Sequence, residues 1–311
     1  MSTNQRLPKT LLEATRYFAD PDVCVEYVAK LRWPDGAVCP TCGGTEHSYL
    51  TTRRLWKCKA CKRQFSVKVG TIFEDSAIPL DKWLCSIWLI ANSKNGISSH
   101  ELGRSIGITQ KSAWFVLHRI RLAMQTKSFE RMDGEVEIDE TYVGGKAENM
   151  HAYKRVQKIK GSGPKGKAIV VGARERNGKV RAAVVPDRTK KTLLPFVELN
   201  VRDGATVFTD EHSAYLDLRW TGYKHAAVNH SKRYVEGRAH TNGIENFWAL
   251  LKRGLHGTYV QVDVRHLFRY VDERAFCFNE RASDDLTRFS TVLRAVAGRR
   301  LTYTELTAKP I

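Results

Sequence analysis

The sequence lacks any apolar run able to cross a bilayer. Its longest, around Trp83–Ala91, falls short of the about 20 residues that a spanning helix needs. The opening MSTNQRLPKT is polar and holds no apolar core of a secretory signal. Internal repeats and long low-complexity linkers are missing too. These absences predict a soluble, intracellular, folded chain with no membrane partner. Acid is scarce against base: 33 Asp+Glu face 51 Lys+Arg, a formal charge of +18. The cysteines number seven, and an odd count in an intracellular chain argues against a closed disulfide framework.

What is present points to a polyanion. Cationic side chains displace the counterions condensed on phosphate, so nucleic acid is the first partner such a charge suggests. A membrane surface is the competitor. The excess is spread, +8 over residues 1–130 and +10 over the rest, so both halves are expected to touch the partner. Apolar residues make up 42% of the 311, enough for a small module and one sizeable core.

Cys39, Cys42, Cys58 and Cys61 follow C-x2-C-x15-C-x2-C. Each pair can place two thiolates on one metal from a tight knuckle, and two knuckles close a tetrahedral structural zinc site. Lys57, Lys59, Lys62 and Arg63 flank the second knuckle and favour the thiolate form. Cys24, Cys85 and Cys277 stand alone and read as core.

The chain reads as an α+β multidomain protein. Residues 1–32 form an N-terminal helical segment and 33–72 a zinc ribbon. Residues 73–130 form helices with Gly turns resembling a helix-turn-helix, residues 131–285 a catalytic domain, and 286–311 a helical tail. In the helical region the stretch 109–122 is the candidate major-groove helix, with Lys111, His118, Arg119 and Arg121 as polar reach. After Glu135 the order is three strands, helix, strand, helix, strand, then helices, which is that of an RNase H-like fold with a mixed sheet. Asn177–Gly178 between two apolar runs predicts a type I′ hairpin.

The stretch GSGPKGK at 161–167 imitates a phosphate-binding P-loop, but Ala168 stands where a hydroxyl is needed and the loop leads into a strand. It reads instead as a basic loop, with seven Lys or Arg between 146 and 167, Lys165 and Lys167 among them.

Three acids stand out by position. Asp139 lies in EVEIDETYVGG, a half-buried strand. Asp210 closes the strand ATVFTD, at the end where α/β sheets place their chemistry. Glu245 lies early in the helix NGIENFWALLKRGL. Phosphodiester cleavage needs an activated water and a stabilised leaving oxygen, and two Mg2+ or Mn2+ ions held by carboxylates supply both. Glu137 shares the face of Asp139 and could support it from behind, but is read first as solvated near the strand's start, while Glu140 points to the opposite face. Tyr215 reads as core, and His212, His240 and Arg238, which could assist at a scissile phosphate, read first as surface residues.

The segments CPTCG, WKCKACKRQFSVKVGTIFEDSAIPLDKW, EIDETYVGGK, VFTDEHSAY and HTNGIENFWALLKRGLHGTYV closely resemble insertion-sequence transposases of the DDE superfamily with an N-terminal zinc ribbon. The resemblance spans roughly residues 10–290. It implies an RNase H-like domain with Asp139, Asp210 and Glu245 as metal ligands. It also implies Lys252 as a contact to transposon-end DNA. Some relatives carry Asn at the third position, and Asn242 and Asn246 neighbour Glu245. Glu245 is preferred because an acid binds a divalent cation more strongly. The resemblance further implies double-stranded DNA as partner, a homodimer or larger assembly on it, and a cytoplasmic place with the nucleoid. A regulator that has lost catalysis and a structure-specific nuclease are the rival readings. Purified protein is expected to contain about one zinc per chain. Elemental analysis checks this, and a folded, zinc-free preparation would remove the ribbon.

Overall fold

The computed structural model describes residues 6–125, 130–145, 151–153, 166–228 and 240–308. They form two units: the described residues of 1–125 together with those of 282–311, and those of 126–281. Among the described residues, no helix is long and apolar enough to cross a membrane.

In the first unit, α1 (Leu11–Tyr17) is capped by Thr10, and α2 (Pro21–Arg32) by Asp20 with Pro21 at its first position. The ribbon follows as a three-stranded antiparallel sheet of β1 (His47–Leu50), β2 (Leu55–Cys58) and β3 (Gln64–Phe65). Next come α3 (Leu80–Asn92), α4 (Ser99–Ile106) and α5 (Gln110–Met124). Ser98 and Thr109 cap α4 and α5 as their positions predict, and Gly107 ends α4 in the left-handed region at φ 65°. Trp83, Leu84, Ile87, Trp88 and Ile90 are all buried, so α3 is a core helix.

The boundary expected at 285–286 falls at the start of the helix Asp285–Arg294, and that helix is part of the first unit. Its Phe289 meets Trp88 at 5.2 Å and Phe18 at 5.6 Å between ring centroids. The apolar face Phe289, Val292 and Leu293 is buried, which is why the stretch folds in rather than standing as a tail.

A second difference concerns α5. His118, Arg119 and Arg121 are all buried. Arg119 donates to the carbonyls of Leu301 at 2.8 Å and Glu74 at 2.7 Å, and stands 4.8 Å over the Phe115 ring. It is a clamp inside the unit, not the groove contact expected. Lys111, in the first turn, is exposed, with Nζ 5.1 Å over the Tyr303 ring.

The second unit is built on a five-stranded mixed sheet ordered β6-β5-β4-β7-β8. β4 (Glu135–Val143), β5 (Ala168–Glu175) and β6 (Val180–Val185) form an antiparallel meander, while β7 (Thr206–Asp210) and β8 (Lys224–Val228) add parallel to β4. One face packs Val136, Ile138, Val171 and Ala173 against Leu193 and Val197 of α6 (Lys190–Asn200) and against Tyr215. The other packs Val170 and Val180 against Ile244, Phe247 and Leu251 of α7 (Asn242–Gly254) and Val271 of α8 (Leu267–Asn279). This is the expected α+β architecture, consistent with an RNase H-like domain.

Two local expectations change. Residues Ser213–Trp220 form a 3-10 helix. The β5–β6 turn places Asn177, at φ 60°, in the left-handed position after Arg176, with Gly178 N–H on the Glu175 carbonyl at 2.9 Å. The expected type I′ pair Asn177–Gly178 is not formed, because Gly178 does not take the positive φ that its second position requires.

Replacing Arg119 by Ala strands two carbonyls and is expected to cost about 3 kcal/mol of stability. Urea denaturation measures it. The salt dependence of DNA binding should not change, whereas a groove contact would show the reverse pattern.

Candidate active site and zinc centre

The ribbon brings its four sulfurs together. Sγ of Cys39 is 3.7 Å from that of Cys61, Sγ of Cys42 is 3.6 Å from that of Cys58, and all four lie within 4.8 Å of one another. Tetrahedral zinc at its usual 2.3 Å bonds spaces sulfurs about 3.8 Å apart. The first knuckle is closed by Cys39 N–H on the Gly44 carbonyl at 3.0 Å, the second by Cys58 N–H on that of Arg63 at 3.0 Å. Burial opposes a thiolate at Cys39, but the amides of Cys42 and Thr41 and the thiols of Cys61 and Cys42 outweigh it and lower the group, while the same thiol contacts raise Cys42. Soft sulfur donors at this spacing fit structural zinc.

In the sheet, β4 and β7 run parallel with Glu135 opposite Thr206 and Glu137 opposite Phe208. Continued two residues, that register sets Asp139 level with Asp210. Asp139 Oδ2 accepts the Trp248 indole N–H at 2.9 Å. The indole reaches it across Gly172, the register partner of Asp139 on β5. A Cβ there would sit 2.6 Å from the Trp248 ring, so only glycine leaves room. Burial pushes the Asp139 carboxyl up to about 7, with the charges of Glu140 and Asp210 adding to the rise and the Glu140 amide and Trp248 opposing it. Asp210 is one-third exposed, accepts the His212 amide at 3.0 Å, and lies 3.8 Å from a terminal nitrogen of Arg188.

Glu140 faces the other side of β4, as its strand position predicts. Its Oε2 accepts Arg188 Nε at 2.8 Å, and its Oε1 accepts the Tyr215 hydroxyl. Arg188 also donates to the Tyr142 hydroxyl at 3.0 Å. Tyr215 is fully buried, and burial and Glu140 together raise its pKa, so the hydroxyl stays a donor.

Glu137 is not solvated but fully buried. Arg174, Arg176 and His240 surround its carboxyl, and the amide of Ile244 donates to it at 2.8 Å. Its partners lie 37 or more positions along the chain, so the local sequence does not signal its burial. Arg188 was missed for the same reason.

Glu245 is exposed on the first turn of α7, and its Oε1 accepts the Thr241 hydroxyl at 3.0 Å. Asp139 and Asp210 are thus neighbours, while Glu245 does not converge on them. Among the described residues, the four cysteines are the only group of three or more potential ligands within metal reach. The Asp139–Asp210 pair offers hard oxygens and a buried repulsion that a divalent cation relieves, which fits Mg2+ or Mn2+. Lys252 is exposed two turns after Glu245, and Lys167 is exposed just before β5. Lys165 and Arg238 lie outside the described residues.

The folded pKa of Asp139, about 7, lies above the unfolded value of about 3.9, so the folded state holds the extra proton between these limits. Its contribution to stability is full below about pH 4 and is lost as pH rises through 7. In chelator, the melting temperature of wild type is expected to fall more between pH 5 and pH 8 than that of Asp139→Asn. Equal slopes would contradict the assignment.

Residues 131–279 match the model of the ISXO2-like transposase domain, and residues 20–64 match that of the transposase zinc-ribbon domain. A protein of the transposable element ISH50 of Halobacterium salinarum is 27% identical over 240 residues, which cover 73% of this chain and 81% of the relative. A transposase-like protein of Haemophilus influenzae is 32% identical over 120 residues, covering 39% of this chain and 95% of the relative. Both halves of the architecture therefore carry the same assignment, and the chain belongs to the zinc-ribbon insertion-sequence transposases of the DDE superfamily.

Proposed function

We propose that this transposase binds the terminal inverted repeats of its own element, cuts there, and joins the released 3′-hydroxyl to target DNA. The observation that carries the reading is the parallel register of β4 on β7, which continued by two residues sets Asp139 level with Asp210, together with the raised pKa of Asp139.

Asp139, Asp210 and Glu245 are the proposed ligands of two Mg2+ or Mn2+ ions. When bound, such ions supply an activated water and a stabilised leaving oxygen. The chain does the rest. Trp248 fixes Asp139 through Oδ2, and Arg188 balances Asp210 from 3.8 Å. Glu245 sits three residues before Trp248 on α7, on the same side of the helix, which supports it as the third ligand over Asn242 or Asn246. Lys252, two turns further, is proposed to hold the transposon-end backbone. Lys111, Lys165 and Lys167 are proposed as phosphate contacts, and the zinc ribbon as part of end recognition. The active assembly is proposed to be a dimer or larger, bridging two ends.

With Mg2+ and DNA carrying the element's end, Asp139→Ala and Asp210→Ala are each expected to lower strand cleavage about a thousandfold or more, since metal assistance is worth several kcal/mol. Filter binding of the same DNA should change only severalfold. Full cleavage by either variant would refute the assignment. Pre-cleaved ends offered with a plasmid target should yield joined product, which a nuclease alone would not make.

A further inference from the structure

The helix α7 starts without a cap of its own. Thr241 stands at the N-cap, but its hydroxyl donates to Glu245 and gives no side-chain cap to the helix amides. The first amides of a helix need an acceptor. Here Oε2 of Glu137 accepts the Ile244 amide at 2.8 Å, from a strand 107 positions upstream. A carboxylate at this place also answers the positive end of the helix dipole.

The capping carboxyl is held from all sides. Arg174 lies 3.6 Å from Oε2, Arg176 Nε donates to Oε1 at 3.3 Å, and His240 Nδ1 is 3.4 Å from Oε1. Arg176 also donates to the His240 carbonyl at 3.1 Å, tying the chain just before α7 to the same cluster. A side chain at Gly243 would displace the cluster. A Cβ there would lie 1.4 Å from Arg174 and 2.6 Å from Glu137 Oε2. Two residues along the same face of β4, Asp139 takes the Trp248 indole. The strand therefore grips α7 at two points, Ile244 and Trp248, and Glu245 lies between them.

We propose that Glu137 is a positioning residue: by capping α7 from β4 it sets the height and rotation of the helix that carries Trp248 against Asp139 and holds Glu245 on the same side of α7. This rests on the metal-dependent reading above, but its central test does not need cleavage. Glu137 does not touch substrate in this role. It acts through the helix, as outer-shell partners act through ligands.

The test uses the full zinc-loaded chain with Glu137→Gln and, from the helix side, Gly243→Ala. Mn2+ affinity is measured by calorimetry without DNA, and the Trp248 indole N–H signal by NMR with Trp248→Phe for assignment. Both variants are expected to bind Mn2+ about tenfold or more weakly and to shift the indole signal. DNA affinity should stay within about twofold, while cleavage at saturating DNA falls about a hundredfold, the effect of a misplacement near 1 Å. Folded variants with wild-type Mn2+ affinity and an unmoved indole signal would overturn the proposal. So would failure of both variants to fold, which would assign the cluster to folding alone. If wild type cut no DNA, the functional reading would fail, and Mn2+ affinity and the indole signal would still decide the role of Glu137.

Discussion

The catalytic unit depends on one constraint: β4 carries Glu137, Asp139 and Glu140 within four residues in the middle of a packed sheet. Buried carboxyls are tolerated only when paired or hydrogen-bonded. The fold meets the demand differently for each. Glu137 receives two arginines and a helix amide. Glu140 receives Arg188 and the Tyr215 hydroxyl. Asp139 receives only an indole and a backbone amide, and its pKa rises to about 7. The one acid left without a cation is the one beside Asp210. The strand thus pairs the flanking acids with cations and leaves the central one with hydrogen bonds alone, the kind of perturbed carboxyl that the proposed chemistry would use.

The same pairing organises the layers around the sheet. The Glu137 cluster lies on the face covered by α7, and the Glu140 cluster on the face covered by α6 and the 3-10 turn. Each polar cluster borders an apolar one, so helices are fixed by burial and registered by directional bonds. Apolar packing alone would tolerate small slides of α7 along the sheet. The bonds from Ile244 and Trp248 to β4 do not.

Much of this was legible in the chain. The cysteine spacing pointed to the four sulfurs that the structure brings together, because a CxxC knuckle is a local geometry. Caps at Ser98 and Thr109, the element order after Glu135, and the placing of Asp139 and Asp210 on strands followed from patterns of a few residues. What failed was long-range. Arg119 sits among exposed-looking basic residues, and only the carbonyls of Leu301 and Glu74 reveal it as buried. Glu137 looked solvated because Arg174, Arg176 and Ile244 are distant in sequence. Residues 286–311 looked like a tail because their core partner, α3, lies nearly two hundred positions earlier.

These failures share a cause that also qualifies the net charge. The arginines at 119, 121, 174, 176, 269 and 274 are buried or nearly so. A planar guanidinium with several donors can satisfy carbonyls and carboxylates inside a fold, whereas a lysine ammonium is strongly hydrated. Lys111, Lys167 and Lys252 are exposed. Part of the +18 therefore lies inside the fold, and the field that a phosphate backbone meets comes from the exposed lysines together with exposed arginines such as Arg104, Arg253 and Arg265. A DNA footprint inferred from this chain should therefore count its exposed cations and leave out the buried arginines.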